Sequence, residues 1–292
     1  MSTPPPPGPP PLARLPERAP DSHKGDFGLA VIVGGSRGMV GAISLSGMAA
    51  VRSGAGLVRL AVPDDCLATV AGFEPSYMTT PLASDRAGRI SLDARERVAR
   101  LAATATALGL GPGMGRSLGL DALVSWLYVR HDGPMVIDAD GLNALSARPE
   151  VLNRPGGPRI LTPHPGEFAR LVAARLPAER RPAAAVELAA RSGVIVVLKG
   201  HQTFVTDGRT EWRNTTGNPG MASGGTGDVL TGVITALMCR QLSPLDAARL
   251  GVYLHGLSGD LAAEELGQES LAASDLVRFL PEAFRRYRHQ SA

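Results

Sequence analysis

Cysteine is almost absent from this chain of 292 residues, which has only Cys66 and Cys239, at neither metal-ligand nor disulfide spacing. That excludes a disulfide scaffold and a cysteine-based zinc site, and it suits a reducing compartment. Aromatic side chains make up 4% and are scattered, which excludes a stacking platform for single-stranded nucleic acid. No run approaches the ~18 apolar residues of a membrane span. The proline-rich start has no apolar segment of the kind a secretory signal needs. Net charge is only +3, with no Lys/Arg block resembling a nucleic-acid arm. The expectation is a cytoplasmic protein that acts on small molecules, with neither nucleic acid nor membrane as partner.

Lysine is equally scarce. Of 30 basic side chains, only Lys24 and Lys199 are lysine. Where arginine serves for nearly every cation, a retained lysine marks a place that needs a compact ammonium, chance retention being the alternative. The pattern G-x-x-x-x-G-K-[ST] does not occur, which excludes a P-loop nucleotide site. Gly34-Gly35-Ser36-Arg37-Gly38 lacks the G-x-G-x-x-G spacing, which argues against a dinucleotide-binding oxidoreductase.

Apolar residues reach 44%, enough for a sizeable core. Residues 1–20 read as a flexible, polyproline-like tail and residues 21–292 as one domain without internal repeats. From residue 29 onward, short continuous apolar runs alternate with helical patterns. Leu29–Val33, Leu57–Val62, Thr106–Leu110, Met135–Ile137, Arg159–Leu161 and Val194–Leu198 read as parallel strands buried on both faces. Phe204–Thr206 and Thr210–Arg213, joined through Asp207-Gly208, read as an edge hairpin. From Asp228 to about Tyr287 the chain reads as helical. The fold class is α/β, a three-layer α/β/α arrangement on a mostly parallel sheet. Nearly every polar, glycine-rich phrase follows a strand, at the carboxyl edge where open α/β sheets bind ligands.

The most informative stretch is Asn218-Pro219-Gly220-Met221-Ala222-Ser223-Gly224-Gly225-Thr226-Gly227-Asp228. Clustered glycines are entropically costly unless the backbone needs positive φ or a close approach. Val229, Leu230, Val233, Ile234, Leu237 and Met238 then share one helical stripe. A glycine-rich loop that opens a helix presents free N–H groups to an anion such as phosphate. Asp228 sits where that phosphate would approach. A carboxylate there hinders simple binding, but it can take the proton from a hydroxyl that attacks a phosphoryl group. The plainer alternative is a helix N-cap.

The phrases HKGDFG (His23 to Gly28), GGSRGMVGA (Gly34 to Ala42), GLGPGMG (Gly109 to Gly115) and DADGLN (Asp138 to Asn143) occur in that order. TPHPGEF (Thr162 to Phe168), LKGHQT (Leu198 to Thr203), NTTGNPGMASGGTGD (Asn214 to Asp228) and GVYLHGLSGD (Gly251 to Asp260) follow. Together they closely resemble the ADP-dependent NAD(P)H-hydrate dehydratase family, a branch of the ribokinase-like superfamily, over residues 21 to 280. The resemblance implies a hydro-lyase that restores the S epimer of hydrated NADH or NADPH, using ADP and Mg²⁺ and releasing AMP and phosphate. It implies Asp228 as catalytic base, with Gly225 and Gly227 giving backbone N–H groups to the transferred phosphoryl. Ala42, Gly113, His164 and Asp228 would line the hydrated nicotinamide nucleotide. Lys199, Gly200, His201, Gln202, Thr203 and Gly227 would contact ADP, and Glu167 would hold Mg²⁺ through water.

Several positions have structural alternatives. His164 could be a loop histidine bonded to backbone, and Glu167 a first-turn acid favoured by the helix dipole. Asp138, Asp140 and Asn143 would steady their loop or touch substrate. His255 would be a packed core histidine. Ser223 stands where the family more often has Thr. The family's fused amino-terminal epimerase is not in this sequence, so a separate epimerase is expected, along with a homo-oligomer. The rival functions are a small-molecule alcohol kinase of the same fold, of thiazole or pyrimidine type, and a nucleotide-binding module without chemistry.

Overall fold

The computed structural model describes residues 11–290. Its frame is a nine-stranded sheet: β1 (Leu29–Val33), β2 (Leu57–Pro63), β3 (Met78–Leu82), β4 (Ala107–Leu110), β5 (Met135–Ile137), β6 (Arg159–Leu161), β7 (Ile195–Leu198), β8 (Phe204–Thr206) and β9 (Glu211–Arg213). They lie in the order β3-β2-β1-β4-β5-β6-β7-β8-β9. All neighbours are parallel as far as β7, and β8 and β9 are antiparallel.

Successive residues of a strand face opposite sides, and here both sides are covered. Ala30 and Ile32 of β1 join the core beneath one helical layer, while Val31 and Val33 join the core beneath the other. This is why the strands read as unbroken apolar runs. The first layer holds α1 (Val40–Arg52), α2 (Leu67–Ala71), α8 (Thr226–Cys239), α9 (Pro244–Leu266) and α10 (Ala273–Gln290). The second holds α3 (Arg95–Thr104), α4 (Leu118–Arg130), α5 (Ala139–Ser146), α6 (Pro165–Leu171) and α7 (Arg181–Ser192). Every residue of α8 from Val229 to Cys239 is buried, so it forms the middle of its layer. It crosses α1 so closely that a Cβ on Gly232 would lie 2.0 Å from the Ser46 carbonyl oxygen.

Two features differ from the sequence expectation. Met78–Leu82 is a strand that sequence pattern did not reveal, because Met-Thr-Thr-Pro-Leu is half polar and contains Pro81. An edge strand tolerates proline, since one side of it needs no ladder donor. The other difference lies in the expected tail. Residues 1–10 lie outside the described residues, but Leu15 is a buried member of the core. Tyr287 donates to the Ala13 carbonyl (2.9 Å), Arg240 donates to the Pro16 carbonyl (2.9 Å), and the Arg18 guanidinium stacks 3.8 Å from the Phe27 ring centre.

The chain builds β1, β2 and β3 outward, then returns to place β4 on the other side of β1. The loops after β1 and β4 meet at this switch: Gly35 N–H donates to the Pro112 carbonyl (2.8 Å), and a Cβ on Gly34 would lie 2.4 Å from that oxygen. Ligands bind beside such switch points, outside the carboxyl ends of the strands.

Candidate active site

Loops from that edge enclose a cavity of 770 Å³. Its walls come from Asp138 after β5, His164 after β6, Lys199–Thr203 after β7, the 214–228 segment, and one face of α9. The 214–228 segment owes its shape to α9. Asn214 donates to the Val252 carbonyl (3.4 Å), Thr216 to the Tyr253 carbonyl (2.8 Å), and the Gly217 N–H and Asn218 amide to the Asp260 carboxylate (2.8 and 3.0 Å). Gly225 turns the chain into α8 at φ +95°, a left-handed conformation that disfavours any side chain. Among the described residues, nothing lies within 4 Å of a Cβ position on Gly224. The first N–H groups of α8 have no intrahelical partner, so this opening is a ready seat for an anion.

Asp228 stands in the first turn of α8. Gly225 is the N-cap, so the carboxylate is not a cap, and no hydrogen bond or ion pair engages it among the described residues. Its backbone carbonyl instead accepts from Ser46 of α1 (2.7 Å). Burial, and then the nearby Asp138 charge, push its pKa up to about 7, partly offset by Lys199. The result is a half-buried, unpartnered carboxyl poised to exchange a proton near neutrality.

Lys199 supplies the opposing charge. Its Nζ donates to Asp138 Oδ1 at 2.6 Å and lies 3.8 Å from Glu167 Oε2. Burial alone would lower its pKa, but Asp138, Glu167 and Asp228 outweigh burial and raise it, so the ammonium stays charged. Gly227 leaves room for it: an added Cβ would sit 3.1 Å from Nζ. Asp138 is 1% exposed, and its other oxygen accepts from Thr231 of α8 (2.9 Å). It lies at the centre of the charged groups on the cavity wall, at a position the sequence reading left between loop-steadying acid and substrate contact. The available signal was its place directly after β5 on the carboxyl edge. Asp140 and Asn143 do steady loops, with Asp140 accepting from Gly115 N–H (2.8 Å) and Asn143 accepting from Arg170 (2.8 Å).

His164 and Glu167 form a reciprocal cap on α6. Gly166 N–H donates to His164 Nδ1 (2.9 Å), and His164 N–H donates to Glu167 Oε2 (2.8 Å). Burial, then Lys199, lowers the His164 pKa, so the ring is neutral at pH 7. Burial raises the Glu167 pKa against the pull of Lys199. His164 caps the helix, as the loop-histidine reading expects, and also lines the cavity. His255 is likewise more than core: Nε2 bonds the Thr226 carbonyl (2.9 Å), and burial pushes its pKa to about 4. A neutral ring thus braces the first turn of α8 on the cavity wall. Ser223 Oγ is buried on the same wall without a partner among the described residues.

Gly200, His201, Gln202 and Thr203 line the cavity as one tight turn, with Gln202 at φ +53°. Ala42 and Gly113 lie outside its wall, against one another: a Cβ on Gly113 would lie 3.0 Å from that of Ala42. Ala42 connects to the site through Ser46, whose hydroxyl bonds both its carbonyl (3.2 Å) and that of Asp228, while the Gly113 carbonyl accepts from Ser36 (2.8 Å). Of the two lysines, Lys199 is a buried, ion-paired ammonium on the cavity wall. Lys24 is exposed at the amino side of β1, as the alternative of chance retention expects, and its close contact is backbone: a Cβ on Gly56 would lie 1.8 Å from the Lys24 carbonyl oxygen.

A family model described as NAD(P)H-hydrate dehydratase matches residues 30–282. The chain belongs to the NAD(P)H-hydrate dehydratase family. It is 40% identical over 259 residues to the ADP-dependent (S)-NAD(P)H-hydrate dehydratase of Neisseria meningitidis, covering 86% of this chain and 82% of that one. It is 43% identical over 278 residues to the bifunctional NAD(P)H-hydrate repair enzyme of Moorella thermoacetica, covering 94% of this chain and 52% of that protein. The chain thus spans about half the length of the bifunctional relatives it matches. The crystal structure of the ADP/ATP-dependent NAD(P)H-hydrate dehydratase of Bacillus subtilis, co-crystallized with ATP/Mg²⁺, superposes with a TM-score of 0.79 at 32% identity, over 94% of each chain. The architecture is ribokinase-like.

Proposed function

We propose that this dehydratase-family chain removes water from the S epimer of hydrated NADH or NADPH at the expense of ADP, releasing AMP and phosphate. The observation that carries the reading is Asp228: an unpartnered carboxyl whose pKa lies about 7, one turn from the glycine-built opening of α8. Hydroxide is a poor leaving group from C6 of the reduced ring, and phosphate is a good one. Asp228 takes the C6 hydroxyl proton as that oxygen attacks the β-phosphorus of ADP, and the bond to the AMP oxygen breaks. N–H groups at Gly225 and Gly227 receive the charge spreading over the transferred phosphoryl oxygens. The ring nitrogen lone pair then expels phosphate from C6, and loss of a C5 proton restores the dihydropyridine.

Lys199 orients the ADP phosphates, with the adenosine side against the Gly200–Thr203 turn. His164 on the cavity wall, with Ala42 and Gly113 beyond that wall, positions the nicotinamide nucleotide, which extends past the cavity toward the β1 and β4 loops. The carboxylates of Asp138, Glu167 and Asp228 crowd one lysine, and such oxygen donors suit Mg²⁺, which is held chiefly by substrate phosphates and water with one or two carboxylates. Glu167 would hold it through water, and the ion would neutralise developing phosphoryl charge. We place this activity in the cytoplasm and in a homo-oligomer. An epimerase acting on the R hydrate would feed it.

The test is recovery of the near-ultraviolet absorbance of the dihydronicotinamide from its hydrate, with Mg²⁺ and either ADP or ATP. Recovery with ADP, in step with AMP and free phosphate, is the expected result. Phosphate retained on an alcohol substrate, with no recovery from the hydrate, would identify the kinase alternative instead.

A further inference from the structure

At the amino edge of the sheet, away from Asp228, the C-terminal ends of α1, α8 and α10 converge with residues 17 and 18 around a cavity of 530 Å³. Arg18, Arg52, Arg240 and Arg288 all line it, and among the described residues Glu17 is the only carboxylate on its wall. Arginine at a helix C-terminus is favoured by the dipole and by carbonyl capping. Three of these arginines also bond loop carbonyls: Arg18 donates to that of Gly54, just past α1 (2.8 Å), and Arg240 and Arg288 donate to that of Pro16 in the amino-terminal segment (2.9 and 3.1 Å). Neither the helix dipole nor these bonds neutralise four guanidiniums that share one cavity. No ion pair engages Arg18, Arg52 or Arg240 among the described residues, and residues 1–10 contain no Asp or Glu. Arg240 is only 6% exposed and Ser53, on the same wall, 1% exposed; among the described residues Arg240 Nε and Ser53 Oγ have no hydrogen-bond partner. Burial, then the charges of Arg18 and Arg288, push the Arg240 pKa down to about 10, a cost that a bound anion would relieve.

We propose that this cavity is a second anion site, distinct from the active site, that takes a phosphate-type oxyanion, with Arg240 and Ser53 at its floor and Arg18, Arg52 and Arg288 at its mouth. Guanidinium forks match phosphate oxygens two at a time, which a compact ammonium does not. A ligand here would clamp residues 17 and 18 onto the helix ends, stabilising the fold without touching the chemistry.

The experiment is calorimetric titration of the full chain, its active site saturated with Mg-ADP, with pyrophosphate at matched ionic strength. One pyrophosphate per chain beyond the ADP is expected. Arg52→Ser and Arg18→Ser, both at exposed positions, should each weaken it about tenfold while leaving ADP affinity unchanged. Arg240→Gln should abolish it, and if that variant does not fold, the two surface variants still decide. Inorganic phosphate and a small phosphate monoester, titrated in the same way, separate a free from an esterified anion, and tight binding of either supports the site. Absence of any second site, or binding that both surface variants leave intact, would overturn it.

Discussion

Replacing Asp228 with asparagine removes one ionisable group and breaks no hydrogen bond or ion pair among the described residues; Lys199 keeps Asp138 and Glu167 as its nearer counter-charges. Two effects of opposite sign follow. General-base catalysis contributes roughly 10²–10⁴-fold, so turnover should fall by about that factor, while nucleotide binding through Lys199 and the 200–203 turn persists. Stability should rise. The folded-state pKa of Asp228 is raised from 3.8 to about 7, so the fold favours the protonated form. Below pH 3.8 both states carry the proton and the group contributes nothing. Between there and about pH 7 the native state holds more protons than the unfolded state, so stability falls as pH rises. Three pH units at ~1.4 kcal/mol per unit put the ceiling of that penalty at about 4 kcal/mol. An asparagine side chain never ionises and escapes it. Urea unfolding of both proteins from about pH 4 to 8 should therefore show curves that converge in acid and diverge toward neutrality, with the Asp228→Asn variant the more stable. A pH-independent difference, or turnover within about tenfold of the parent, would refute the assignment of Asp228 as a strained base.

The same pKa predicts a kcat/KM profile that rises with pH through an inflection near 7, read in the absorbance-recovery assay. Lys199→Ala leaves Asp138 buried without its 2.6 Å partner, and should cost about 3–5 kcal/mol in urea unfolding while weakening ADP binding. Thr231→Val removes the second donor to Asp138 and should cost about 1.5–3 kcal/mol in the same measurement. Gly227→Ala puts a methyl group 3.1 Å from Lys199 Nζ, so kcat should fall with only a small change in melting temperature.

The strands were legible because burial on both faces leaves unbroken apolar runs, and β1, β5 and β6 match their sequence ranges. The glycine loop was legible because only positive φ and close approach justify such a cluster, and Gly225 meets both conditions. The part that sequence did not reveal depends on tertiary neighbours. Met78–Leu82 becomes a strand only through the edge that β2 offers. Asp138 becomes central only because Lys199, 61 positions away, and Thr231, 93 positions away, point at its two oxygens. Proline near Leu15 reads as a free tail, whereas Arg240 and Tyr287, far along the chain, bond its carbonyls and hold it down.

The central claim is that phosphoryl transfer to the C6 hydroxyl precedes loss of that oxygen. Hydrate formed in heavy-oxygen water, carrying the label at C6, tests it directly when turned over with ADP and Mg²⁺. The account predicts one labelled oxygen in each phosphate released. Label recovered in the solvent, with unlabelled phosphate, would contradict it.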